Sequence, residues 1–269
     1  PSRGSRLQEI EAFNEEFANR PDNMRLVNGV YEIPVVVNVV YKTTAQNISD
    51  AQIASQIDAL NKDYNATNAD LSKVPSNFQS VKAGNTNIRF VLSKVVRKVT
   101  TKTSWTTNDA VKKSTGITPT TPTTSLNIWV CNLSGGILGY AQFPGGASAT
   151  DGVVIDDNAF GTTGTVSAPF NKGRTATHEI GHWLNLRHIW GDANCGNDQV
   201  SDTPLHNTAN YGCPAAGHLS TCTGKPVEMT MNYMDYSDDA CMYMFSAGQK
   251  TRMLASFATG GGRNSFAKP

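Results

Sequence analysis

Three of the chain's five histidines fall within eleven residues, His178-Glu179-Ile180-Gly181-His182-Trp183-Leu184-Asn185-Leu186-Arg187-His188. His178 and His182 are four apart, so on a helix they project from one face about one turn from each other, which suits two imidazoles on a single cation. Glu179 adjoins the first of them and is placed to reach a water on that cation rather than the cation itself. Nitrogen ligands with one position left open favour zinc, which lowers the pKa of a bound water from about 15.7 to about 7. His188 lies six residues beyond His182 and off that helical face. It can become a third ligand only where the helix stops and the chain turns sharply. Asn185 permits such a turn, because asparagine tolerates positive φ. The spacing therefore predicts a helix ending near Leu184, a turn at Asn185, and His188 returning toward the metal. His-Glu-x-x-His alone is short enough to arise by chance; a third histidine behind a turn-competent residue adds a geometric demand that chance seldom meets.

The other chemistry-bearing residues sort around this motif. His206 and His218 lie in loop-like sequence and read as surface residues. Glu228 is the sole downstream glutamate able to replace His188 as third ligand, and it lies far from the motif. A non-catalytic zinc-containing binding module is a second rival, opposed by Glu179, since a closed structural site has no use for a base. A zinc hydrolase acting on a non-peptide amide is a third. Cys195, Cys213, Cys222 and Cys241 crowd a Gly/Pro/Asn-rich stretch without any C-x-x-C spacing, which favours two disulfides over a second zinc site and implies an oxidising compartment. Cys131, alone in an apolar run, reads as a buried structural thiol. From Ile189 to Gln249 seven acids face Lys225 alone, and Asp- and carbonyl-rich loops near glycine are what calcium requires.

HEIGHWLNLRHIWGD (residues 178–192), Asn232-Tyr233-Met234-Asp235-Tyr236 and GYAQFPGG (residues 139–146) together resemble the pappalysin family of the metzincin clan of zinc metalloproteinases. The likeness runs from about Tyr31 to Met253. It implies a metzincin-like catalytic domain of α/β (α+β) class: an N-terminal twisted mixed sheet with helices, an active-site helix, and a loop-rich C-terminal subdomain. It implies a secreted zinc endopeptidase acting on protein or peptide substrates, with Met234 as an apolar floor under the metal. It also implies Tyr236 as a hydrogen-bond donor to the reacting oxygen, and the pairs Cys195–Cys222 and Cys213–Cys241. Calcium is implied in the loop after the zinc motif, with Asp198, Asp202 and Thr203 at the matching positions. Three departures stand out. Asn185 replaces the usual glycine, and no cysteine precedes Cys131 to hold the zinc latent. Finally, the acid that favours Lys or Arg after the cleaved bond in some relatives aligns with Ala240, with Asp238 or Asp239 as substitutes.

Those residues need a scaffold, and the sequence outlines one. Leu7, Ile10, Phe13 and Phe17 recur at helical spacing in a polar first segment, so residues 1–30 read as an N-terminal arm or the remnant of a pro-segment. Residues 31–185 read as the N-terminal subdomain with the sheet and active-site helix. Residues 186–269 read as the C-terminal subdomain with the third ligand, Met-turn and disulfides. Ile33–Tyr41 is dense in β-branched residues and predicts a buried strand. Ser49 with Gln52 predicts a capping box, stapled by Ile48 and Ile53, and opens a helix with the apolar stripe Ile53, Ile57, Leu60 and Tyr64. Ile88–Val96, Leu126–Cys131, Ile137–Phe143 and Gly152–Ile155 read as further strands, and 100–125 as a long loop with a short helix at 108–114.

Composition narrows the rest. At 269 residues, 39% apolar and 17% charged with a formal charge of +1, the chain is neither disordered nor a charge-driven nucleic-acid binder. Its longest apolar run is too short to cross a bilayer, and no lysine-plus-apolar leader opens it. The nine Lys/Arg between Leu71 and Lys113, against Asp109 alone, read as a solvated face. A monomer free of membrane and nucleic acid is expected.

Overall fold

The computed structural model describes residues 3–18 and 29–266. Helix α1 (Arg3–Ala18) precedes strand β1 (Tyr31–Tyr41), helix α2 (Asp50–Tyr64), β2 (Ile88–Val99), β3 (Leu126–Cys131), β4 (Gly139–Ala141), β5 (Val153–Asp156), α3 (Arg174–Trp183) and α4 (Ala247–Ala255). The five strands form one sheet in the order β2-β1-β3-β5-β4. All neighbours are parallel except β4, which runs antiparallel to β5 at the edge. Parallel sheets need cover on both faces, and β1 shows why its sequence is almost continuously apolar. Val35, Val37 and Val39 enter the main core, while Val40 joins Trp129, Cys131 and Val154 in a smaller core on the opposite face.

The predicted helix over α2 forms, with Ser49 Oγ accepting the amide of Gln52 at 3.1 Å. The reciprocal half of the box is absent. Gln52 is buried and turns instead to the loop after β5, where Nε2 donates to Phe160 O and Oε1 accepts from Thr165 N. Ile53, Leu60 and Tyr64 are fully buried and Ile57 partly so. Tyr64 reaches across to donate to Thr177 O on α3 at 3.0 Å, so the stripe read from sequence seats the active-site helix. The Ile137–Phe143 strand is shorter than expected, and the predicted helix at 108–114 contracts to a 3-10 turn over Ala110–Lys112. Lys112 departs from the solvated basic face: its ammonium is buried, paired with Asp109 at 2.9 Å and set over the Trp129 and Tyr140 rings.

Helix α4 carries the full capping box that α2 lacks, with Ser246 and Gln249 exchanging both bonds. In the N-terminal helix, Phe13 is part-buried and Phe17 buried against the main core, whereas the side chain of Leu7 lies outside the described residues. Both expected disulfides are formed, Cys195–Cys222 and Cys213–Cys241, and Cys131 is a free buried thiol.

Candidate metal centre and active site

Helix α3 ends where the sequence puts its end. Leu184 is the C-cap, Asn185 takes φ 75°, and Leu186 N returns to Gly181 O at 2.9 Å. The helix's last carbonyls are answered from the C-terminal segment: Arg263 Nε donates to Trp183 O, Ser256 Oγ to Leu184 O, and Arg252 Nε to Asn185 O. Orphan carbonyls thus find donors, two of them cationic at the negative end of the helix dipole.

The turn brings His188 back beside His178 and His182, and one ligand atom from each of the three lies within 4.8 Å of the others. Each imidazole is held from behind. His178 Nδ1 meets Tyr233 O at 2.6 Å, His182 Nδ1 meets Leu186 O at 2.8 Å, and His188 Nδ1 meets the Asp192 carboxylate. An acceptor at each Nδ1 places the proton there and leaves Nε2 as a bare lone pair, the tautomer a metal needs. His178 Nε2 is buried with no hydrogen-bond partner. His182 Nε2 and His188 Nε2 face each other at 3.0 Å, two acceptors with no proton between them. Three converging lone pairs are costly unless a cation sits among them, so the donor set fits zinc. Burial holds all three rings in the neutral form: His178 is driven well below its ordinary value, His182 down to about 3, and His188 lower as well.

Glu179 is buried beside this triad, and burial pushes its carboxyl up to about 8. Edge strand β4 passes directly over it. A Cβ at Gly139 would come within 2.8 Å of Glu179 Cγ, so only glycine lets the strand approach this closely. Met234 lies beneath the site, fully buried, and a Cβ at Gly181 would stand 2.5 Å from its sulfur. Tyr236 is 40% exposed, with its ring 4.9 Å from that of His188. Burial and the neighbouring Glu179 push its phenol up to about 12, so it remains a proton donor. Trp190, which sequence reasoning passed over, stacks on His188 at 4.3 Å and 6°; its position two residues after the third histidine was the available signal.

Beside the triad a cavity of about 360 Å³ opens between β4 and the segment after Met234, with Leu138, Gly139, Phe170, Glu179, Tyr236 and Asp239 on its walls. Of the two acids offered as substitutes for the one that aligns with Ala240, Asp239 lines this cavity and Asp238 does not. Asp239 Oδ2 accepts from Lys172 N at 2.7 Å and Arg174 N at 3.3 Å, capping α3, whose own N-cap residue Gly173 has no side chain to do so.

Other expected residues separate. Asp198 and Thr203 meet at 2.9 Å, but Asp202 turns to Ser246 Oγ at 2.6 Å and Gly248 N at 2.8 Å, serving the start of α4. His206 is not a surface residue: it is wholly buried, accepting Met229 N at 2.9 Å, because the disulfide-bounded loops close over it. His218 is exposed, as expected. Glu228 is buried and bonded to Asn207 N and Asn210 Nδ2, away from the triad.

Residues 121–258 match the sequence family described as pregnancy-associated plasma protein-A, peptidase family M43. The chain belongs to the pappalysin family of metalloproteases. It is similar to an extracellular metalloprotease of Pyricularia oryzae, 35% identical over 236 residues covering 84% of this chain and 75% of that protein. Another, from Arthroderma otae, is 32% identical over 96% of this chain and 88% of its own length. Among solved structures, mature mirolysin of Tannerella forsythia in complex with a cleaved peptide superposes with TM-score 0.85 at 45% identity, covering 88% of this chain and 96% of that one. A Tannerella forsythia promirolysin mutant superposes at 0.88 with 41% identity, covering 99% and 93%. This pappalysin is a metalloendopeptidase with the mixed α/β fold of mirolysin, and its three-histidine cluster is the group among the described residues able to hold the metal.

Proposed function

We propose that this chain is an extracellular zinc endopeptidase in which His178, His182 and His188 hold the metal and Glu179 is the general base. The observation that carries the reading is the trio of Nε2 lone pairs, each fixed by an acceptor behind its ring, with a buried carboxyl in the adjoining helical position. Zinc bound there supplies Lewis acidity to a scissile carbonyl and acidifies water at the coordination position the protein leaves open. The substrate runs extended and antiparallel along the free edge of β4, through main-chain hydrogen bonds. The side chain after the cleaved bond then points into the cavity beside Gly139. Glu179 takes a proton from the attacking water and returns it to the departing amine nitrogen. A cation nearby draws its carboxyl down from about 8 toward the ionised form that a base requires. The Tyr236 hydroxyl donates to the carbonyl oxygen as negative charge gathers on it. Met234 packs under the ligands and keeps water from beneath them.

Secretion is supported by the two disulfides and by relatives named extracellular metalloproteases. No helix among the described residues is long and apolar enough to cross a membrane. Residues 1–30 are assigned as an arm or pro-segment remnant, 31–185 and 186–269 as the two catalytic subdomains, in a monomer. Support for the first assignment is that the promirolysin match spans 99% of this chain and the mature mirolysin match 88%. Calcium is assigned to the loop over residues 196–205 at Asp198 and Thr203, with Asp202 engaged elsewhere.

The test is a digest of casein and of a mixed peptide library by wild type, wild type with a zinc chelator, and Glu179→Ala. Wild type is expected to cut internal bonds. The chelator should stop it and added zinc restore it. Glu179→Ala should lose about 10²–10⁴-fold in turnover while keeping one zinc per chain. Equal fragments from wild type and Glu179→Ala would overturn the assignment.

A further inference from the structure

The third ligand is carried on a turn, and that turn is gripped from an unexpected quarter. Asn185 sits at its pivot with φ 75°, and its carbonyl is taken by Arg252 Nε at 2.7 Å. Arg187 immediately precedes the ligand His188. Both arginines converge on one carboxylate, that of Glu11 in the middle of α1. Glu11 Oε1 lies 2.6 Å from Arg252 Nη2 and 3.0 Å from Arg187 Nη2, while Oε2 takes Arg252 Nη1 at 2.7 Å. The bond to Arg252 is thus bidentate and charge-assisted, the strong geometry for this pair.

The location gives the contact more weight than a surface pair. Arg252 is 5% exposed, so withdrawing its partner leaves a buried cation, and it also leaves two guanidiniums side by side with no anion between them. Burial opposes charge on Glu11, yet Arg252 and Arg187 together hold its carboxyl below the ordinary range. Packing keeps α1 in place independently of this link, through Phe17 in the main core and Phe13 against Gly260.

We propose that Glu11 is a positioning residue for the metal centre: by bridging Arg187 and Arg252 it fixes the turn at Asn185 on which His188 is presented. The proposal rests on the three-histidine reading above and adds a residue that lies 177 positions before the ligand it serves. It belongs to the chain that retains α1. Supports behind the direct ligands typically contribute 10–100-fold to metal affinity. A displaced turn acts on one ligand of three, so the lower end of that range applies.

The test is the rate at which the zinc-loaded full chain surrenders zinc to excess chelator, followed with a zinc-sensitive dye, beside the melting temperature of the metal-stripped chain. Glu11→Gln is expected to release zinc about 10-fold faster, and Glu11→Asp to recover much of the wild-type rate. Arg187→Gln, at a part-exposed position, keeps the question answerable should Glu11 variants fold poorly, and is expected to accelerate release as well. In the double variant the two effects should overlap rather than multiply. A Glu11→Gln rate within twofold of wild type, or fully multiplicative effects in the double variant, would overturn the role. A wild-type chain that binds no zinc would instead defeat the metal reading, and the positioning role with it.

Discussion

At the scale of single residues, this site depends on what stands behind each functional atom. The motif names three imidazoles, but carbonyls of Tyr233 and Leu186 and the carboxylate of Asp192 decide which nitrogen of each ring is left as a bare lone pair. Asp157 shows the opposite case, a carboxyl supported only by its own backbone amide. It is buried, its Oδ1 has no hydrogen-bond partner, and burial together with neighbouring Asp156 raises it from 3.8 to about 6. The folded chain therefore holds this proton more tightly than the unfolded chain does. The site contributes no penalty below about pH 4, and destabilises the fold increasingly as pH rises through about 6. Asp157→Asn carries no charge and is expected to gain on the order of 1 kcal/mol at pH 7.5 and almost nothing at pH 4. Thermal melts of both proteins at the two pH values check this, and an equal gain at both would contradict the titration account.

At the scale of elements, capping decides where the active-site helix and its neighbours begin and end. Helix α3 borrows its N-terminal cap from Asp239 and its C-terminal donors from Arg252, Ser256 and Arg263. Helix α4 has its own capping box, and Ser246→Ala is expected to cost about 1 kcal/mol, read as a fall in the urea midpoint at unchanged m-value. Much of this level was legible in the sequence: the α2 stripe, the strand Leu126–Cys131, the helix end at Leu184 and the turn at Asn185. The failures have physical causes. Gln52 satisfies the letter of a capping box, but it is buried against a distant loop, where Thr165 N takes its Oε1 and Phe160 O its Nε2. The Ser246–Gln249 pair carries the same signal, but it opens a helix of only nine residues, too short for an apolar stripe to mark it. His206 read as a surface residue because loop sequence carries no sign that two disulfides will fold it inward. Asp202 had the right residue type for a calcium loop, yet a helix start 44 residues downstream claims it.

At the scale of the whole molecule, the segments before and after Asn185 meet around the histidine cluster, and each supplies what the other lacks. The N-terminal part offers the sheet edge, Glu179 and two imidazoles; the C-terminal part offers His188, the Met234 floor and the cavity wall at Asp239. The Cys213–Cys241 bridge ties that wall to the loop segment bearing Tyr211 and spans 28 residues. Replacing both cysteines by serine is expected to cost about 2–4 kcal/mol and to broaden the residues accepted after the cleaved bond, as read from sequenced peptide digests. Unchanged selectivity with lowered stability would confine the bridge to a structural role. The account stands on one arrangement, and X-ray absorption at the zinc edge of the loaded wild-type chain tests it most directly. Three imidazole nitrogens and one solvent oxygen at about 2.0–2.1 Å are predicted. A sulfur neighbour, only two imidazoles, or a fourth protein ligand in place of solvent would contradict it.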